Sequence, residues 1–307
     1  MNRSFLQQTL SIVRFPHALA MRQGSLEDFL VAFNMLIKSN SEHPDGYNDV
    51  IKPTIDAYIG HNVGLTTDYD NTGITNSVAL YYAYDMITYD SWWYFSTKQF
   101  VADLLSAENN DNILAHLIIL NTPGGTTYYL NEVFKTIRSL KKPVYAVCER
   151  QCASAGVWIA SAADKVYCLN KFDEVGSIGV MISFWDWSEM LAKYGIKEVT
   201  EYATISTHKN KDYRDLLEGN SEEFIKRFMD PLCEDFIDSV KSGRPKSKDA
   251  PEEAHVFNGA MFYAEQAKQY GLIDGIKPLE EIFSELVEQG LQQKLTAAIQ
   301  SNAIYQL

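Results

Sequence analysis

Two turns in this chain carry residue types that can run acyl-transfer chemistry. Pro123-Gly124-Gly125 follows an apolar stretch, Ile113–Leu120. Glycines at such a place let backbone N–H groups approach a ligand oxygen closely, as an oxyanion hole requires. Gln151-Cys152-Ala153-Ser154-Ala155-Gly156 follows a second apolar stretch that ends at Cys148. A serine at a strand-to-helix turn, flanked by small residues, keeps its hydroxyl reachable, and the N–H of Ala155 can join the oxyanion hole. Each turn also has an ordinary reading, and taken alone that reading is favoured. The first is then a tight glycine turn, and the second an N-cap serine satisfying orphan backbone donors. Cys152 is the weaker nucleophile candidate, because it precedes the helix start by two residues.

These turns need strands and helices to hold them, and from Val78 the sequence alternates the two as βαβ units around a largely parallel sheet do. Val78–Ala83 reads as a strand. Ser96 and Gln99 form a capping box before a helix whose apolar face is Phe100, Val101, Leu104 and Leu105. Ile113–Leu120 is almost continuously apolar, as a strand covered on both faces must be. Leu130, Val133, Phe134, Ile137 and Leu140 recur on one helical face, and Pro143 starts the strand to Cys148. Further on, the pattern predicts a helix over Ser154–Ala162, strands at Lys165–Cys168, Ser177–Ile182 and Val199–Ile205, and a helix over Trp187–Tyr194. A long helix follows over Ser221–Ser242, kinked or divided at Pro231. Phe257–Leu286 reads as a turn, a helix, a strand and turn at Gly271–Gly275, and a final helix.

Residues 1–75 form an N-terminal extension with polar, turn-rich stretches and one amphipathic segment at Leu26, Leu30, Phe33 and Ile37. Arg3 precedes an apolar run and Ala18-Leu19-Ala20 has the form of a cleavage box, but Gln7, Gln8 and Arg14 interrupt the run, which argues against a signal peptide. No run of about 18 apolar residues occurs, so a soluble, cytoplasmic protein without a transmembrane segment is expected. The 307 residues carry 40 acids against 27 Lys and Arg, a net charge of -13, which repels phosphate backbones and anionic membranes. Nucleic acid is excluded as the expected partner. The four cysteines lack any CxxC pair, so neither a metal nor a redox centre is expected, and most read as buried thiols. The cluster Trp92-Trp93-Tyr94-Phe95 suits a peptide groove or an oligomer contact, and equally the core.

In order and spacing, several motifs together resemble the signal peptide peptidase A family of serine peptidases. They are Leu120–Gly125, Lys142-Pro143-Val144, Ala153–Gly156 with Ile159-Ala160, Gly176–Val180, Thr207-His208-Lys209, Phe257-Asn258-Gly259, Ala264–Ala267 and Gly271–Gly275. The resemblance spans Val78–Leu286, and within it Cys152–Ala163 and His208-Lys209 are most similar to the bacteriophage capsid maturation branch. It implies an α/β crotonase-like, or Clp protease-like, fold of repeated β-β-α units. That domain covers residues 76–286, between the extension and a helical tail at 287–307.

The resemblance further implies that Ser154 is the nucleophile, Lys209 its general base, and Ser177 the residue that holds the lysine. Gly125 and Ala155 become the oxyanion donors, with Gly124 a secondary candidate. The family often has glycine where Ala155 stands, and a glycine shortly before the lysine where this chain has Ser206-Thr207. Lys211 therefore stays open as the base, and so does His208 with Asp212 as its orienter. Read without the family, Lys209 and Lys211 belong to a solvated charged loop. A lysine takes a proton from serine only when desolvation brings its pKa down from about 10.4, and apolar neighbours such as Val157 and Ile178 are suited to that.

The implied function is an endopeptidase acting on protein or peptide chains, assembled as a homo-oligomeric ring, without cofactor. In the phage branch its partners are capsid or scaffold proteins, and in the bacterial branch it is a signal-peptide-peptidase-like protease. Two readings compete. Acyl-CoA hydratases and isomerases share the fold but want carboxylates at the active turns, where this chain has serine. An inactive structural homologue is the other.

Overall fold

The computed structural model describes residues 19–21, 56–59, 65–66, 77–91 and 93–304, so the amphipathic segment expected at Leu26–Ile37 lies outside the described residues. The strands are β1 (Leu19–Met21), β2 (Asp56–Ile59), β3 (Leu65–Thr66), β4 (Ser77–Tyr84), β5 (Ile87–Thr88), β6 (Phe95–Ser96), β7 (Ile113–Thr122), β8 (Gly124–Thr126), β9 (Val144–Ala153), β10 (Lys165–Cys168), β11 (Glu174–Gly176), β12 (Met261–Tyr263) and β13 (Gly275–Ile276). The helices are α1 (Thr97–Glu108), α2 (Leu130–Ser139), α3 (Ala155–Ser161), α4 (Ser188–Lys193), α5 (Lys211–Leu217), α6 (Glu222–Phe224), α7 (Asp230–Gly243), α8 (Ala264–Gln269) and α9 (Leu279–Ile304).

The larger sheet runs β12-β11-β9-β7-β4-β2-β3, with β10 and β13 branching from β9. Its centre, β4, β7, β9, β10 and β11, is parallel, and the antiparallel strands β12, β2 and β3 lie at its ends. This is the mostly parallel α/β architecture expected. A smaller sheet, β1-β8-β5-β6, stands beside it.

Helices on both faces explain why β7 is apolar along its length. On one face Ile282 and Leu286 of α9 cover Val78, Leu80, Leu117, Tyr145 and Tyr167. The other carries Phe100 and Leu104 of α1, Val133 and Ile137 of α2, Trp158 of α3 and Phe236 of α7. Each such side chain taken from water contributes about 1.5–3 kcal/mol. Trp158 stacks on Phe236 at 4.6 Å, fixing α3 from behind. Ser96 caps α1 as expected, its hydroxyl accepting from the Gln99 amide, while the Gln99 side chain turns to Asp103 rather than closing the box.

Three elements differ from the expectation. No strand forms at Ser177–Ile182, because β11 ends at Gly176, where Gly176 at φ 148° and Ser177 at φ 57° turn the chain out of the sheet. Val199–Ile205 is irregular, with Val199 72% and Ile205 93% exposed, so it has no sheet to join. The apolar Leu272 and Ile273 are buried in a turn, and the strand there is only Gly275–Ile276. The Ser221–Ser242 helix is divided as expected near Pro231: a π turn at Ile225–Met229 separates α6 from α7. The short strands β5, β6, β8, β11 and β12 were not foreseen.

A polar chain is sealed into the core. Tyr81 Oη lies 2.9 Å from His116 Nδ1, and His116 Nε2 lies 3.1 Å from Glu108, which also accepts from the Lys141 amide. Burial lowers the pKa of His116 more than Glu108 raises it, so the ring is neutral near pH 7 and the contact is a hydrogen bond rather than an ion pair. Because the folded pKa lies below the unfolded one, stability is present above the unfolded value of about 6.5 and is lost as pH falls beneath it. Urea titrations should show stability dropping by up to about 1.4 kcal/mol per pH unit in that window. His116→Gln should flatten the dependence there, and an unchanged slope would contradict this account.

Candidate active site

Ser154 follows the last residue of β9 and precedes the first of α3, at φ 54° and ψ -115°. That conformation is strained for a side-chain-bearing residue and costs on the order of 1–3 kcal/mol. It is nevertheless well determined. The β9–β11 ladder runs to the pair Ala153–Gly176, and the Ser154 amide then donates to the Gly176 carbonyl at 2.8 Å. On the other side the Trp158 amide donates to the Ser154 carbonyl, opening α3.

The hydroxyl makes no cap bond to the helix, which removes the N-cap explanation of this serine. It points instead to the Gly179 carbonyl at 3.5 Å, a contact at the limit of a hydrogen bond. The hydroxyl expected to be reachable is buried: Ser154 is 1% exposed, and Cys152, Ala153, Ala155, Val157 and Ile178 are buried as well. The amide of Ala155 finds no acceptor among the described residues, as expected for the first turn of a helix.

The glycine turn is brought to the same place by the pairing of β7 with β9, which sets Thr122 opposite Cys152. Between Leu120 and Thr122 the register shifts, and β9 bulges through Glu149–Gln151 with Arg150 at φ 65°. Tyr84 donates to Glu149 at 2.5 Å, and the Asp173 carboxylate accepts from the amides of Arg150, Leu169 and Asn170. Thr122 holds the turn itself, donating to the Asp85 carbonyl and accepting from the Gly124 amide at 3.1 Å. Glycine is required at 125, since a Cβ would sit 1.9 Å from the Ile87 carbonyl oxygen across the β5–β8 pair. At 156 a Cβ would meet the Thr122 methyl at 2.6 Å, so the two turns touch. Sequence reasoning missed Thr122 and Asp173. The signal for Asp173 was Asn170-x-x-Asp173, a turn pattern just after a strand.

The structure thus gathers Ser154, the Gly124-Gly125 turn and the Gly176–Gly179 turn. Ser177 is half-buried in that last turn, its amide bonded to Ala260. The lysines lie elsewhere. Residues 184–220 form an outer arm in which neither α4 nor α5 buries a side chain. Lys211 pairs with Asp215 and lies 3.9 Å from Glu223, and the Asp215 bond raises its pKa, the reverse of what a general base needs. Lys209 is exposed, and among the described residues its amine has no hydrogen bond or ion pair. His208 Nδ1 lies 3.0 Å from the Thr207 hydroxyl, and Asp212 lies 3.8 Å from Arg227.

Cys148, Cys152 and Cys168 are buried and all four cysteines are free thiols. Cys148 is raised well above the usual thiol range by its bond with Cys152, which suits a structural role. Of the aromatic cluster, Phe95 is in the core against Phe100, Trp93 and Tyr94 are half-buried, and Trp92 lies outside the described residues. No group of metal-ligating side chains occurs among the described residues, and no helix there is long and apolar enough to cross a membrane.

Residues 136–293 match the family model for Peptidase family S49, and residues 74–171 match that for Clp protease. No curated protein matches the chain. The two regions overlap across β9 and α3, the segment that carries Ser154.

The strain at position 154 predicts a stability difference. Ser154→Gly relieves it, whereas Ser154→Ala keeps it, so the glycine variant should be the more stable by about 1–2 kcal/mol in urea unfolding. Equal stability of the two would show that the backbone there is not strained.

Proposed function

The chain belongs to peptidase family S49, and from that premise we propose a serine endopeptidase in which Ser154 is the nucleophile and Lys209 its general base. The carrying observation is the backbone of Ser154, held left-handed at a strand-to-helix turn with its hydroxyl unused for capping. In this reading Oγ attacks the carbonyl carbon of an extended peptide while Nζ of Lys209 takes its proton. The amides of Gly125 and Ala155 receive the oxyanion, and Lys209 returns the proton to the leaving amine. Water then hydrolyses the acyl-serine.

Lys209 lies on the outer arm, apart from the groups that bond Ser154. The reading therefore includes a homo-oligomer, with a neighbouring copy supplying or enclosing the lysine. What favours this is the apolar surface of the arm, where Trp185, Tyr194 and Val199 are 54%, 77% and 72% exposed. Burial at such a contact would supply the desolvation a lysine base needs. Ser177, in the turn that bonds Ser154, is assigned to orient the amine. For the cellular task we propose scaffold processing in capsid maturation, supported by the resemblance of Cys152–Ala163 and His208-Lys209 to that branch.

A fluorophosphonate probe should label wild type at Ser154 and leave Ser154→Ala unlabelled. Turnover of a peptide substrate should rise with pH, because only the deprotonated amine accepts a proton, and Lys209→Ala should lose at least about 100-fold in rate with its fold intact by circular dichroism. Full activity in Lys209→Ala would move the role to Lys211 or His208. An inert wild type would favour the acyl-CoA enzyme or the silent homologue.

A further inference from the structure

The extension contributes a strand to the candidate site. β1 pairs antiparallel with β8, setting Leu19 opposite Thr126, Ala20 opposite Gly125 and Met21 opposite Gly124. The other edge of β8 is taken by β5. The edge given to β1 is thus the remaining edge of the strand that carries the assigned oxyanion donor. A free strand edge beside a nucleophile is a template for an extended peptide, whose main chain adds to the sheet.

We infer that Leu19–Met21 occupies the peptide-binding position of this chain's own active site and that the chain cuts itself between Ala20 and Met21. The inference rests on the peptidase reading above. Three observations carry it. The pairing is antiparallel and sets Ala20 opposite Gly125 and Met21 opposite Gly124, so the Ala20–Met21 bond lies alongside the residue assigned to bind the oxyanion. The sequence Ala18-Leu19-Ala20 has small residues at alternate positions, the form of a cleavage box, without the apolar run that would make it a secretion signal. The strand is also tethered to the site it fills, so its effective concentration is on the order of millimolar and it outcompetes dilute peptides.

The chemistry balances within the chain and water. Ser154 Oγ bonds to the Ala20 carbonyl carbon, the C–N bond to Met21 breaks, and the serine proton leaves on the new amino group of Met21. Water then splits the ester, giving a peptide ending in the Ala20 carboxylate and restoring Ser154. The product begins at Met21 and has an open edge on β8.

Intact-mass and N-terminal analysis of the full chain tests this. Wild type should lose the residues through Ala20 and begin at Met21, at a rate unchanged by tenfold dilution over the range in which size-exclusion chromatography shows the oligomer intact, while Ser154→Ala keeps them. A wild type that labels with fluorophosphonate at Ser154 yet retains those residues overturns the inference and spares the peptidase reading. Trimming in both chains, or a cut outside Leu19–Arg22, also overturns it. Neither labelling nor trimming overturns the peptidase reading, and this inference with it.

Discussion

The bond from the Ser154 amide to the Gly176 carbonyl is the constraint on which the site turns. β9 keeps its parallel ladder with β11 to its last residue, and this bond extends the ladder one step while the backbone rotates to positive φ. Without it the chain would relax into an ordinary helix start, and the hydroxyl would be drawn to the orphan amides of α3. The same sheet sets the partner turn, because Thr122 is in register with Cys152 and binds the Gly124 amide. Two loops distant in sequence are therefore aligned by one pairing of β7 with β9. In a sheet a slip of one residue reverses every side chain, so such alignment is held as strongly as the core itself.

Much of this was legible in the residues. Ile113–Leu120 could only be a doubly covered strand, and the helix of Leu130, Val133 and Ile137 showed its buried face in its spacing. Ser154 and Gly125 stood out through the order and spacing of the motifs around them, since each turn read alone favoured an N-cap serine or a tight glycine turn. What failed were short apolar runs whose environment decides their form. Val199–Ile205 has the composition of a strand but no neighbour to pair with, and Leu272-Ile273 meets its burial in a turn. The bulge at Glu149–Gln151 was hidden because its supports, Tyr84 and Asp173, are remote in sequence or backbone-directed. The serine at 154 carries no mark of its left-handed backbone, since that follows from the Gly176 bond alone.

The candidate site is divided between a rigid half and an outer half. The nucleophile, the glycine turn and the Gly176–Gly179 turn are interlocked with a core whose residues are almost wholly removed from water. The arm that carries Lys209 shares none of that support. Within one chain the buried hydroxyl of Ser154 and the exposed amine of Lys209 share no hydrogen bond, so the proposed pairing asks for a contact that buries the arm. On that proposal, assembly and reactivity would be one variable. The N-terminal strand on β8 adds a second, since it takes the edge that an incoming chain would use.

The thiols give the molecule an unplanned convenience. Cys148, Cys152 and Cys168 are sealed within the sheet, whereas Cys233 on α7 is only half-buried, its thiol raised by burial and eased by a backbone bond near Val180. Above neutral pH, where more of its thiolate forms, a maleimide dye would reach Cys233 before the three sealed thiols. Its fluorescence would then report the surroundings of the Gly176–Gly179 turn as the arm is covered or released, with no cysteine needing to be engineered in or out.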